Sequence, residues 1–295
     1  MLTIPAKTIL QKNKSTEWFG NDYNMNLYRG CCHGCIYCDS RSDCYGIENF
    51  DEVRAKENAL TILRDELRRK VKPGVIGTGS MSDPYNPFEE TEQLSRHAAE
   101  LIDAYNFGLT VITKSPLITR DIDIFTSIKE HSPILLKMTI TTCDDGLSRL
   151  IEPNVALSSE RFGALAKMSD AGLFTGITLM PVLPFIEDNE ENIRGIVKTA
   201  AQCGVRIIYA ALGMTLRGNQ REYYFKELNR IFGAESPVQK YINRYGNYYD
   251  CSSPYAGRLW RIFTEECDKH GILYNMKDII RAYKQGYENT QLTFF

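Results

Sequence analysis

The chain has 295 residues, a formal net charge of −2 and an apolar share of 43%, enough for one large domain or two small ones with a full core. Its isoelectric point near 6.2 argues against a dedicated duplex nucleic-acid binder, which is usually basic. Nine cysteines in a chain this long do not read as a disulfide framework. Five of them crowd into Cys31–Cys44, a pattern of metal binding in a reducing compartment. The start lacks the charged-then-apolar pattern of a leader, and no apolar run reaches membrane length, so a cytoplasmic protein with no membrane partner is expected.

In chain order, residues 1–22 are polar and irregular, with Lys7, Lys12 and Lys14. A surface lead-in is the expectation, with an arm packed across the fold as the other reading. Asn24–Gly30 reads as a first strand and Asp51–Lys70 as a helix, its Ala59, Leu63 and Leu67 at helical spacing. Further strands are expected at Val75–Gly77, Leu109–Thr113, Ile134–Thr142, Phe174–Leu179 and Val205–Leu212. Helices are expected between them at Glu90–Tyr105, Thr119–Glu130, Ser158–Ala171 and Asn189–Cys203. Strands alternating with helices imply parallel βα units of right-handed crossover. The expected fold is therefore α/β, a partial (β/α)6 barrel of TIM type over residues 23–215. Residues 216–295 are read as a C-terminal helical extension packed on the barrel, with helices at Tyr255–Gly271 and Lys277–Gln285. The last stretch, Gln291–Phe295, carries two aromatics expected to dock.

One loop dominates the chemistry. Cys31, Cys35 and Cys38 are spaced C-x3-C-x2-C directly after Gly30. Four-iron clusters normally take four thiolates, so three leave one iron open to a small molecule. Such an opening suits cofactor-driven radical chemistry. Cys32 offers a second register, Cys32-x2-Cys35-x2-Cys38, with Cys44 as a fourth thiol. A four-Cys electron carrier and a zinc-stabilised nucleic-acid-binding module are the rival readings.

The stretch Asn26–Asp39 resembles the cluster loop of the radical S-adenosylmethionine superfamily, in the branch related to spore photoproduct lyase. Similar echoes are Ser82-Asp83-Pro84-Tyr85-Asn86-Pro87, Thr113-Lys114-Ser115, Arg120-Asp121 and Glu152-Pro153. The resemblance implies a partial barrel, a 4Fe-4S cluster on Cys31, Cys35 and Cys38, S-adenosylmethionine at the open iron, and a flavodoxin- or ferredoxin-type reductant. It further implies reductive cleavage to a 5′-deoxyadenosyl radical that takes hydrogen from a substrate, with lyase or modification chemistry on nucleic acid as one outcome and a peptide or small metabolite as the open alternatives. Tyr37 matches the aromatic beside the adenine.

The strand ends, where barrel sites lie, carry the remaining candidates. Gly77, Thr78 and Gly79 stand where the superfamily holds the methionine end, although its usual Gly-Gly-Glu is replaced here. Asp83 is expected to meet the cofactor's amino group, Lys114 its carboxylate or an anionic substrate, and Thr139 and Thr141 its ribose and carboxylate. Met180 ends the fifth strand. Tyr85 is the candidate for substrate binding or hydrogen relay, with packing the equal alternative. Cys143 is the candidate hydrogen donor, although an inert thiol is the preferred reading.

Overall fold

The computed structural model describes residues 1–70 and 72–287, so Gln291–Phe295 lie outside the described residues. Six parallel strands, in chain order across one sheet, are β1 (Tyr23–Met25), β2 (Val75–Thr78), β3 (Gly108–Thr113), β4 (Ile134–Thr139), β5 (Thr175–Leu179) and β6 (Ile207–Ala210). A short strand, Leu10–Lys12, flanks β1 antiparallel. Strands β2, β4 and β5 are buried along their whole length, as a parallel sheet covered on both faces requires. This is the expected partial barrel.

Helices α1 (Ala59–Arg68), α2 (Leu94–Ala104), α3 (Ile122–Lys129), α4 (Asp145–Ile151), α5 (Ser158–Asp170) and α6 (Glu190–Gln202) follow in turn. Each buries one stripe, as in Ile193, Ile196, Val197 and Ala200 of α6. The Asn189 side chain accepts the Asn192 N–H and caps α6. Leu136, Met138 and Ile140 of β4 and its continuation pack with this helical layer. Alternation then turns Leu135, Lys137 and Thr139 to the inner side.

Several boundaries differ from expectation, for local reasons. The chain leaves β1 after Met25, and Tyr28–Arg29 pairs with Arg54–Lys56 in a second small sheet with Leu2–Ile4. Val53 and Ala55 are therefore buried outside any helix, and α1 starts only after Asn58, which has φ +54°. Gln93, at φ +50°, splits the helix expected over Glu90–Tyr105. Strand β4 stops at Thr139 rather than Thr142. Helix α4 was not expected, although Asp144 caps it by accepting from Gly146 and Leu147.

The N-terminal arm is no surface lead-in. Phe19 is fully buried, clustered with Leu135, Ile207, Ile279 and Tyr283. The Tyr283 hydroxyl donates to Phe19 O at 2.6 Å, and Lys284 Nζ to Gly20 O at 2.6 Å. The extension supplies α7 (Gly218–Phe232), α8 (Val238–Tyr245), α9 (Ala256–His270) and α10 (Met276–Lys284). Leu259, Phe263 and Cys267 of α9 join the main core, while Tyr224, Leu228 and Tyr241 of α7 and α8 pack over the cysteine loop. Among the described residues no helix is long and apolar enough to cross a membrane.

Candidate active site

The cysteine loop leaves the small sheet at Gly30 and is pinned at both ends. Cys31 N donates to Phe50 O at 2.8 Å, and Ile36 N to Ile151 O at 3.0 Å. All nine cysteines are free. Cys35 is buried with Tyr37 and Ile151, and Cys38 packs on the same group. Cys32 packs instead against the main core, and its carbonyl accepts from Asn154 Nδ2. Cys44 is exposed, with its sulfur 3.3 Å from Arg217 Nη1. The register Cys31, Cys35, Cys38 is thus set apart from both spare thiols. Among the described residues no three His, Cys, Asp or Glu side chains are closed around a single ion, the three loop thiols included.

Burial pushes the Cys31 thiol up to about 12, and the Asp83 carboxylate adds to the rise, while the N–H groups of His33 and Asp83 oppose it. Burial also raises Cys35, against the nearby Lys114 charge. A metal that takes these sulfurs expels their protons. The donor set, three thiols on one loop with Lys114 close by, fits a cluster with one open iron.

The loop opens onto a cavity of about 740 Å³, a size suited to a cofactor with part of a substrate. Of the expected residues, Tyr37, Cys38, Gly79, Lys114, Thr139 and Met180 line it. They come from the loop and from the C-terminal ends of β2 to β5. Thr139 Oγ1 and Thr178 Oγ1 share a hydrogen bond of 2.8 Å on its floor. Sequence reasoning missed Trp18 from the arm, Asp39 after the loop, and Tyr249 and Ser252 from the extension. Asp39 closes the stretch that carries the resemblance but was given no role, and the other three sit in no strand-end motif.

Four of the expected residues lie off this wall. Tyr85 does not line this cavity: it is 2% exposed, and its hydroxyl donates to Asp121 Oδ2 at 2.9 Å in the outer layer. Cys143 does not line it either, because its sulfur lies where a Cβ on Gly195 of α6 would be 2.7 Å away. Asp83 has its carboxylate spent on Tyr85 N, Thr113 Oγ1 and Lys114 N, with His33 Nδ1 at 3.6 Å. It braces the loop against β3 and is absent from the cavity wall. Thr141 lies past the end of β4, buried and off the wall, because its carbonyl is drawn to Asn192 Nδ2 of α6. Gly77 and Thr78 line a second, smaller cavity.

A buried charge network underlies the loop. Glu152 accepts from the Tyr37 hydroxyl and from Arg161 Nη2, and Lys114 Nζ stands 3.9 Å from it. Arg161 also donates to Thr139 O at 2.7 Å and Ser148 Oγ at 3.0 Å. Burial opposes ionisation of Glu152, but the Arg161 and Lys114 charges outweigh it and hold its pKa below the usual value. Arg161 was missed. The signal was a lone arginine beside Phe162 on a helix face otherwise without charge. Glu187, also missed, is fully buried, and Oε2 accepts Leu183 N at 2.8 Å. Its Oε1 meets no hydrogen-bond partner of ordinary geometry among the described residues, although the nearby Thr141 hydroxyl favours its ionised form. Burial, with the Glu152 charge adding, pushes its carboxyl up to about 8.

An open parallel barrel carrying a three-thiol loop at its strand ends defines a class of cluster-dependent enzymes. Residues 25–198, more than half of the chain, match the Radical SAM superfamily, and the chain belongs to it. A protein of Methanocaldococcus jannaschii is 33% identical over 193 residues, covering 64% of this chain and 70% of that one. A Mycobacterium tuberculosis protein is 27% identical over 270 residues, covering 89% and 77%. Neither relative is characterised. In fold, the chain is similar to a variant of spore photoproduct lyase, with a TM-score of 0.69, 16% identity, and 93% and 81% of the two chains covered. A spore photoproduct lyase variant with bound AdoMet and dinucleoside spore photoproduct gives 0.66 at 16% identity, covering 90% and 78%. The protein is a radical SAM enzyme by family, and the family implies a 4Fe-4S cluster and S-adenosylmethionine.

Proposed function

We propose that this enzyme cleaves S-adenosylmethionine reductively and uses the resulting radical to take a hydrogen atom from a substrate held over the barrel mouth. The observation that carries the reading is the loop of Cys31, Cys35 and Cys38 opening, through Cys38 and Tyr37, onto the 740 Å³ cavity. Those three thiols would hold the cluster. When bound, the cluster and cofactor supply one-electron chemistry that side chains cannot.

The chain's own residues then have separable tasks. Tyr37, held by Glu152, offers an aromatic wall to a heterocycle. Lys114 lines the cavity as a cation and attracts a carboxylate. Thr139, Thr178 and Met180 form the floor. The extension, through Tyr249 and Ser252, covers the far side and excludes water that would quench a radical. Nucleic acid is the proposed substrate class and a lyase or modification reaction the proposed outcome, supported by the fold shared with spore photoproduct lyase. A flavodoxin- or ferredoxin-type protein is the proposed reductant.

The test is electron paramagnetic resonance of the reduced, reconstituted protein. A signal that shifts on adding S-adenosylmethionine, with release of deoxyadenosine, supports the reading. Cys31→Ala, Cys35→Ala and Cys38→Ala should each abolish the signal, and Cys44→Ser should keep it. Loss of the cluster in Cys44→Ser, with a signal indifferent to the cofactor, would return the protein to the class of electron carriers.

A further inference from the structure

The second cavity, of about 280 Å³, is lined by Gly77 and Thr78, which the resemblance sets at the cofactor's methionine end, and by none of the residues given a task above. It shares Trp18, Ser80 and Ile112 with the larger one, so the two meet at a common wall. Asn24 of β1, Gly77 and Thr78 of β2 and Thr110 of β3 line one side, and Asn13, Lys14 and Asn21 of the arm close the other.

Its polar groups are oriented. Thr110 Oγ1 donates to Asn21 Oδ1 at 2.8 Å, and Ser80 Oγ donates to Asn24 Oδ1 at 3.3 Å. With both amide oxygens engaged, the two Nδ2 groups are the parts left to donate. Neither has a hydrogen-bond acceptor among the described residues. Lys14 adds a cation, and among the described residues no Asp or Glu lines the cavity. The larger cavity differs, with Asp39 and Asp250 on its wall.

Gly77 belongs to the same arrangement. A Cβ there would stand 2.1 Å from Asn21 Nδ2. The amide fills the space of the missing side chain, so glycine at this position is what admits Asn21 to the inner face. A cavity lined by donors and one cation, without a carboxylate, selects an anionic oxygen acceptor. At this volume it holds one group of a ligand rather than a whole one.

We propose that the smaller cavity is a second binding subsite, which takes a carboxylate or phosphate of the substrate on Lys14, Asn21 and Asn24, with the rest of that molecule passing Trp18 toward the larger cavity. The assignment to substrate rests on the reading of the larger cavity as the cofactor site.

Reconstituted protein is titrated anaerobically by calorimetry with inorganic phosphate and, separately, with acetate. Glycerol serves as the uncharged control, and each titration is repeated with S-adenosylmethionine present. Saturable binding of at least one anion is expected, and none of glycerol. Asn24→Asp, which sets a carboxylate among the donors at nearly constant size, should weaken it about tenfold or more. Lys14→Glu, at an exposed position, should weaken it in the same direction without disturbing the core. The tighter anion identifies phosphate or carboxylate as the group recognised. Binding of neither anion overturns the proposal, as does binding indifferent to both variants. Anion binding abolished by S-adenosylmethionine also overturns it, by making the cavity part of the cofactor site. The spectroscopic shift on the same preparation tests the cofactor reading separately, so either can fail while the other stands.

Discussion

Glu187 is a carboxyl group placed where its charge has no counterion in contact. It is fully buried, one oxygen is held by Leu183 N–H, and the other has only the nearby Thr141 hydroxyl to favour its charge among the described residues. Its pKa is raised from 4.5 to about 8, first by burial and then by the Glu152 charge. The gap is about 3.5 units, from 8 − 4.5. At 1.36 kcal/mol per unit, it amounts to about 5 kcal/mol above the folded pKa and about 3 kcal/mol at neutral pH. The direction follows from proton binding. Between the two pKa values the folded state keeps a proton that the unfolded state releases. The group's contribution to stability is therefore whole below pH 4.5 and is lost as pH rises through about 8. Glu187→Gln removes the titration, keeps an acceptor for Leu183 N–H, and offers an NH2 to Thr141 Oγ1. Urea unfolding of the cluster-free wild type and variant at about pH 5 and about pH 8 measures the effect. The variant should gain on the wild type by about 3 kcal/mol between the two conditions. Parallel stabilities at both would mean that Glu187 is ionised in the fold and that burial does not govern it.

Arg161→Ala leaves Glu152 buried without its main counterion and should cost about 3–5 kcal/mol in the same assay; a loss under about 1 kcal/mol would show the network to be dispensable. Lys137 Nζ is fully buried and, among the described residues, without a hydrogen-bond partner, 4.2 Å from the centre of the Phe19 ring, and burial holds its pKa well below 10.5. Lys137→Met should raise stability by about 1–3 kcal/mol at neutral pH. The unfolded lysine binds a proton that the folded one does not, so the wild type should recover part of this deficit as pH rises toward 10.5. A stability gap unchanged between neutral and alkaline pH would count against a neutral Lys137. Tyr85→Phe removes one hydrogen bond to Asp121, which keeps Arg96 and Arg120. It should cost about 1 kcal/mol of stability and leave deoxyadenosine release unchanged, as should Cys143→Ala; a collapse of release in either variant would restore a catalytic role.

The barrel was legible because its strands and helices differ in period and alternate. The loop was legible because thiol spacing along a chain is itself a geometric constraint. Boundaries failed where backbone conformation broke the pattern without glycine, at Asn58 and Gln93. Residues 217–249, rich in tyrosine and asparagine, hid α7 and α8, because tertiary packing rather than propensity carries those helices. Tyr85, Asp83 and Cys143 follow strand ends in sequence, and their side chains lie off the wall of the larger cavity. A motif names residues, and the rotamer and neighbouring helix decide which side of the sheet a side chain serves.

By itself, then, the sequence determined the parallel sheet, the three-thiol loop and the rim on which a site must lie, since these follow from local period and spacing. Only the tertiary structure decided what fills and closes the barrel. Phe19 and Trp18 enter it from residues before β1, Tyr249 from beyond β6, and Arg161 reaches Glu152 beneath the loop. Such contacts join segments that no pattern within one element relates, and the burial of charge that shapes the site arises only when those segments meet.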